Sequence, residues 1–364
     1  MTTDPALRRL IDAVQRNCHI ADARHAADLP LCIYLLQMRE FYRWEQGLPG
    51  AAALPREALG DWLAEREALW ATLEAQPLAA LRCDGRDVDA FDVAAVNAWL
   101  RPHGRVYGAG LAGPRRPTFF VADLLQSGAR EADGTAIELQ VCGTEHARTV
   151  LAPPAALTGG QTIVLRRDAL ARWLWEKFEG WAVRRGDGAF ARLARLHGIA
   201  DGATFGAALP RLVDELGETL VLHELGEHRA GRWLGPQWAA LRLSLPSRRA
   251  DLHARAVRDH LADLAVTLPT LLDRGDVASI HFWFANFEGV RAALFPSLGI
   301  AYEAWVAGDA GRALRQAAAR GTMHFTHFAS QVLNLHAQDA AQSGAAIERL
   351  LTAPEAVCGG PGLP

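Results

Sequence analysis

Apolar residues recur at helical spacing through Leu7, Leu10, Ile11, Val14 and Cys18, which predicts a first helix. It runs out near Leu29-Pro30, where proline pushes the preceding residue out of the helical region. The next run, LCIYLLQMREFYRWE from Leu31 to Glu45, is apolar nearly all round and predicts a helix buried near the centre of the molecule. Residues 57–76 give a third helix, entered after Pro55, and a short one from Asp92 to Leu100 stops at Pro102.

Between residues 103 and 167 the period changes. FFVADLL, AIELQV and TIVLRR read as short strands, separated by SGAREADG and by Gly159-Gly160. Ile137, Leu139 and Val141 alternate with Glu138, Gln140 and Cys142, the pattern of an antiparallel sheet with one buried and one polar face. From Asp168, a residue suited to an N-cap, helical periodicity returns and holds to about residue 350. The expected architecture is therefore α+β and predominantly helical, with a small antiparallel sheet inserted. Its parts are a helical region 1–102, a β region 103–167, a helical domain 168–350 and a flexible tail 351–364.

Composition narrows the function without naming it. Half of the 364 residues are hydrophobic and 22% are charged, which excludes disordered and fibrous classes. A formal net charge of −3 lacks the basic footprint of a nucleic-acid binder or a polybasic membrane anchor. Lys177 is the one lysine, so the cations are otherwise arginines, which neither form Schiff bases nor shuttle protons near neutrality. The N-terminus carries no signal-peptide pattern and no apolar stretch is long enough to span a membrane, so a cytoplasmic protein is expected. Five scattered cysteines without a C-x-x-C pair suggest neither disulfides nor a thiolate zinc site.

Two familiar motifs fail on inspection. Gly108, Gly110 and Gly113 fall in G-x-G-x-x-G order, but Pro114-Arg115-Arg116-Pro117 follows where a dinucleotide site needs a helix to begin. The string HELGEH from His223 to His228 resembles the zinc signature H-E-x-x-H, yet its fifth position is Glu227. At about 100° per residue, His223 and Glu227 share one stripe and Glu224 and His228 another. These are two interleaved imidazole–carboxylate pairs at i,i+4. Val213, Leu216 and Leu220 lie on the same arc, so the core-facing stripe runs directly into the charged group. Buried carboxylates must be paired, protonated or bound to metal. The competing reading is a solvated face on which Arg229 and Arg232 neutralise the glutamates.

The first helix repeats the anomaly, since its apolar stripe continues onto Asp22 and His25 while His19 points away. An acid and a His one turn apart on a buried helix is a ligand spacing of helical di-metal carboxylate proteins. Here it competes with a core histidine bonded to its neighbour. Glu40 on the apolar second helix and His260, flanked by Asp259 and Asp263, are weaker members of the same group. His281, His324, His327 and His336 sit among aromatic residues and read as core packing.

Recurrence of acid and His groups on several apolar faces points to one buried polar site. Its candidate ligands are Asp22, His25, His223, Glu224, Glu227 and His228, with Glu40 and His260 as further members. Such a set suits a divalent iron, manganese or zinc ion, and hence an oxidoreductase or hydrolase acting on a small-molecule substrate. Two alternatives stand beside it. One is a non-catalytic helical scaffold anchored by some of the eleven tryptophans, and the other is a metal-free acid/base enzyme. The strings NCHIADARHAADLPLCIYLLQMREFYRWE, TIVLRRDALARWLWEKFEGW and LHELGE resemble an uncharacterised bacterial protein family of unknown function. The resemblance extends over most of the chain and implies no established activity, cofactor or site residue.

Overall fold

The computed structural model describes residues 4–112, 116–150, 153–339 and 342–359. Helix α1 (Pro5–His25) starts where the Asp4 carboxylate accepts the amide of Ala6, with proline at its first position. Its stripe Leu7, Leu10, Val14 and Cys18 is buried as expected. The opposite side is covered as well, so His19 is buried where it was expected to point away. The indole N–H of Trp70, on α3 (Arg56–Leu73), donates to that ring.

Helix α2 (Leu31–Glu45) departs from its expected central position. Met38, Phe41 and Tyr42 pack in one cluster with Trp62 and Trp70 of α3, whereas Leu31, Ile33, Leu35 and Leu36 are exposed. An all-round apolar pattern states what a helix can bury, and only one side of α2 has neighbours to bury it against. Two short strands the periodicity did not show, β1 (Leu81–Cys83) and β2 (Arg86–Val88), form a hairpin. Asp84-Gly85 closes it with both φ angles positive, the turn that an Asp-Gly pair favours. Helix α4 (Val93–Leu100) follows, capped by Asp92.

Five strands, β3 (Arg105–Ala112), β4 (Arg116–Ala132), β5 (Thr135–Arg148), β6 (Ala155–Thr158) and β7 (Thr162–Arg166), form a sheet in the order β3-β4-β5-β7-β6. SGAREADG, expected as a connector, is mostly strand: pairing continues from Ser127↔Gln140 to Ala132↔Thr135, and only Asp133-Gly134 turns. The sheet is antiparallel except between β5 and β7, which run parallel from Glu138↔Thr162 to Cys142↔Arg166. The expected polar face is also partly covered, because Cys142 joins Val106, Phe120, Ala122 and Val164 in a small cluster. Gly108 and Gly110 lie within β3, paired to Phe120 and Thr118, so they serve strand packing; Gly113, Pro114 and Arg115 lie outside the described residues.

Helix α5 (Arg167–Arg184) continues from β7 with no residue between them. After α6 (Ala189–Leu196) comes α7 (Gly202–Leu234), entered through a capping box of Asp201 and Thr204. Then follow α8 (Pro236–Ser244) and α9 (Arg248–Ala262), which a π-helical turn, Asp263–Thr267, joins to α10 (Leu268–Arg274). Helices α11 (Val277–Ala285), α12 (Gly289–Leu294), α13 (Pro296–Val306), α14 (Arg312–Gln338) and α15 (Gly344–Leu351) complete the described domain. The largest core joins these helices to Ile137, Leu139, Ile163 and Leu165 of the sheet.

The segment expected as a flexible tail is packed over its described part. Ala356 and Cys358 are buried, and the Cys358 amide donates to the Leu294 carbonyl at 2.8 Å; Gly360–Pro364 lie outside the described residues. Cys18, Cys83, Cys142 and Cys358 are buried free thiols. Among the described residues no helix is long and apolar enough to cross a membrane.

Candidate functional site

Gly226 sets the site's geometry. A Cβ at this position would lie 2.5 Å from the carbonyl oxygen of Ala262, so α7 and α9 touch backbone to backbone. That crossing brings His223 and Glu227, one turn apart on α7, onto Asp259 and Asp263, one turn apart on α9 and its π-helical extension. His223 Nδ1 is 2.8 Å from Asp263 Oδ1, and its Nε2 is 3.6 Å from Glu227 Oε1. Arg291 donates to the other oxygen of Asp263, and Arg258 donates to Glu227. His223, Glu227 and Asp259 each offer one ligand atom, and these atoms lie within 4.8 Å of one another.

The charges in this cluster follow from burial and pairing. Burial alone would raise the Asp263 carboxyl, but the His223 ring and Arg291 outweigh it and hold the group well below the usual carboxylate range. Burial disfavours a charged His223, yet Asp263 and Glu227 prevail and raise its pKa. Glu227 is lowered because His223 and Arg258 overcome its desolvation. Asp259 goes the other way: desolvation raises it, and the attraction of His223 and Arg291 only partly offsets this.

The other expected ligands do not converge here. Asp22 is buried beneath the sheet, accepts the Val150 amide at 2.9 Å and lies 3.7 Å from Arg116. Burial outweighs those partners and pushes it up to about 7. His25, at the end of α1, turns toward Asp28 at 3.0 Å, so the pair one turn apart does not form a site. His228 faces the β6–β7 turn, with Nδ1 2.9 Å from the Gly160 carbonyl oxygen, as its separate stripe on α7 required. His260 stacks on Phe325 at 4.3 Å and hydrogen-bonds the Arg291 carbonyl at 3.0 Å. Burial and Arg291 push its pKa down to about 3, so it is a neutral core residue. Arg229 and Arg232 reach the Asp133 turn, and it is Arg258 that meets Glu227.

Glu224 and Glu227 instead face a cleft of about 780 Å³. Its far wall carries Glu40 of α2, which is buried and paired with Arg43, together with Arg116, Arg148, Arg172 and Glu176. Behind that wall lies a second ionic centre that sequence reasoning missed. Glu145 has no exposed side-chain surface and meets Arg166 at 2.7 Å, Arg172 at 2.5 Å and Arg148 at 3.7 Å. Burial would raise Glu145, but the three guanidiniums win and hold it at about 2. Arg148, desolvated and beside Arg172 and Arg166, is pushed down to about 9. Glu176 is raised to about 7 by burial and by Glu40, while the Gln37 amide donates to both its oxygens at 3.0 and 3.2 Å. The available sequence signal was charge inside apolar runs, as at Arg166 in TIVLRR and Glu176 in WLWEKF.

A further cavity of about 800 Å³ lies over the sheet beside α4, lined by Gly108, Gly110, Phe120 and Val164. It holds fewer titratable groups, whereas the cleft joins both ionic centres.

The fold and site define a helix-dominated α+β protein with an ionic cleft between two halves. The chain belongs to a family of unknown function (DUF6866), whose N-terminal domain model matches residues 9–166 and whose C-terminal domain model matches residues 171–354. No curated protein and no solved structure matches it. The two matched segments meet where β7 passes into α5. Of the residues that line the cleft, Glu40, Arg116 and Arg148 come from the first segment, and Arg172, Glu176, Glu224, Glu227, Arg255 and Arg258 from the second.

Proposed function

We propose that the protein is a divalent-metal-dependent enzyme, a hydrolase acting on a small molecule held in the cleft, with His223, Glu227 and Asp259 as the metal ligands. The observation that carries this reading is the convergence of those three ligand atoms within 4.8 Å, on a ring whose Nδ1 is already bonded to Asp263. A ligating imidazole needs such a partner to fix its tautomer and leave Nε2 toward the ion. One imidazole with two carboxylates suits zinc, manganese or iron and differs from the two-His, one-carboxylate set of iron oxygenases, which favours hydrolysis over oxidation. A divalent ion there supplies Lewis-acid polarisation of the substrate. The chain's own residues orient the ring through Asp263 and Arg291, and Glu227 lines the cleft where the substrate lies.

Metal-free protein titrated calorimetrically with zinc, manganese and ferrous iron tests this. One ion per chain is expected in wild type, with no binding by His223→Ala or Asp259→Asn. Asp263→Asn is expected to lose about 10- to 100-fold in affinity, as orienting partners do. Wild type that takes up no ion, or variants that bind as wild type does, would overturn the assignment. A second reading is favoured by the Arg258 guanidinium on Glu227, which occupies a carboxylate oxygen that a metal would use. In it, His223 backed by Asp263 transfers a proton without metal, and failure of the titration selects it.

A further inference from the structure

The arginine wall of the cleft is charged beyond what its own carboxylates neutralise. Around Glu145, three guanidiniums, those of Arg148, Arg166 and Arg172, meet a single carboxylate. Arg148 is nine-tenths buried or more; its Nε donates to the Thr149 carbonyl and its Nη2 to the Val150 carbonyl at 2.7 Å. Its Nη1, on the cleft-lining side chain, has no acceptor among the described residues. The same holds for Nε of Arg172 and Nε of Arg116, both on this wall. Three arginines that line one cavity thus each carry a buried donor without an acceptor among the described residues. Leaving such groups without acceptors is unfavourable, and an anion in the cleft would relieve it.

We propose that Arg116, Arg148 and Arg172 form an anion subsite that holds the phosphoryl group of a small phosphate ester, the substrate of the enzyme. This rests on reading the cleft as the reaction site. A tetrahedral oxyanion presents acceptor oxygens in several directions, which suits donors arriving from β4, β5 and α5, whereas a planar carboxylate is satisfied by one guanidinium fork. Of the acids near these arginines, Glu40 on the wall is paired with Arg43, and Glu176 on the wall and Asp22 beside Arg116 are both raised to about 7, so each of these two is partly protonated at neutrality. Glu227 places the His223 cluster on the same cleft as the anion.

The test uses the full chain stripped of metal, so that anion binding is read independently of the ion. Inorganic phosphate and phenyl phosphate are titrated by calorimetry at constant ionic strength set with chloride. Saturable 1:1 binding is expected, with phenyl phosphate at least as tight as phosphate. Arg148→Lys keeps a charge but loses the fork and is expected to weaken binding about tenfold. Arg116→Gln, at a less buried position, gives a second variant that tolerates replacement, and a several-fold loss is expected; Arg229→Gln, remote from the cleft, is expected to change nothing. Absence of saturable binding, binding that needs an added divalent ion, or binding unmoved in both cleft variants would overturn the subsite. Binding of inorganic phosphate with exclusion of the ester would overturn the substrate class. Phosphate binding without metal uptake sustains the subsite while the metal assignment fails, and metal uptake without phosphate binding does the reverse.

Discussion

Glu145 and Asp263 are both carboxylates with no exposed side-chain surface, both are held by arginine, and both lie behind a wall of the same cleft, yet they sit in opposite kinds of surroundings. Glu145 is one acid among three guanidiniums. Asp263 belongs to a cluster in which three acids, Glu227, Asp259 and itself, face one imidazole and two arginines. Carboxylates of this burial are tolerable only when paired, and the pairing decides what else the place can accept. The first centre has more cations than acids, which supports the proposed anion subsite; the second matches three acids with three basic groups, and its metal reading rests on the convergence of His223, Glu227 and Asp259. Under the proposed reading, the two centres on a single cavity would take a molecule with an anionic end and a bond that needs electrophilic help.

The comparison can be broken most severely at Glu145. Glu145→Gln removes the carboxylate that Arg148, Arg166 and Arg172 share, and breaking a buried pair this way costs about 3–5 kcal/mol. A large fall in Tm, or failure to fold, is expected. A loss as small as that of an exposed ion pair would show that the arginines find other partners. In wild type the same group sets acid sensitivity. Its folded-state pKa of about 2 lies below the ordinary value of 4.5, so its contribution is complete above about pH 4.5 and is lost as pH falls toward 2.

The second centre is tested at Gly226. In an open helix, Gly→Ala would stabilise by roughly 0.5–1 kcal/mol. Here the new Cβ meets the Ala262 carbonyl oxygen at 2.5 Å, so the helices must part, at a cost of about 1–3 kcal/mol. Gly226→Ala is expected to lower Tm and to abolish divalent-ion uptake by carrying His223 and Glu227 away from Asp259. A Tm equal to or above that of wild type would deny the backbone contact its role.

The smallest difference is a slope. Asp22, beside the cation-rich wall, is raised by burial to about 7 from 3.8, so the folded chain holds its proton more firmly than the unfolded chain does. Its contribution is complete below about pH 3.8 and is lost as pH rises to about 7, by no more than about 1.4 kcal/mol per pH unit. Denaturant titrations of wild type and Asp22→Asn across that range are expected to diverge, with the variant flatter and relatively more stable at pH 8. Parallel curves would show that Arg116 keeps the carboxylate ionised throughout.

The sequence makes local relations visible and non-local ones much less so. The stripe of α1, the cap and stop of α4, and the change of period that introduces the sheet are all patterns within a few residues. So is the pairing of His223 with Glu227 and the separation of His228 onto another face. Asp259 and Asp263 join them only because Gly226 permits a helix crossing, and helical period alone does not report a crossing. Glu145 was the harder case: its partners come from the ends of two strands and one turn of a helix. The period of each element records its apolar residues, so a charged residue buried by another element looks like an ordinary polar position. Asp22 and His25 failed for a related reason, since burial of one side chain does not carry along the neighbour three residues on. Helix α2 shows the converse, with an apolar pattern that its surroundings only half cover.

The absence of any residue between β7 and α5 governs how the cleft can move. A strand that turns directly into a helix offers no flexible linker, and Arg166 and Arg172, on either side of the corner, are both anchored to Glu145. The corner behaves as a weld instead of a hinge. Swinging the two family-defined halves apart at this point would therefore have to pull at least one of these arginines from Glu145. Widening the cavity at this corner would strain the contacts that Arg166 and Arg172 make with Glu145.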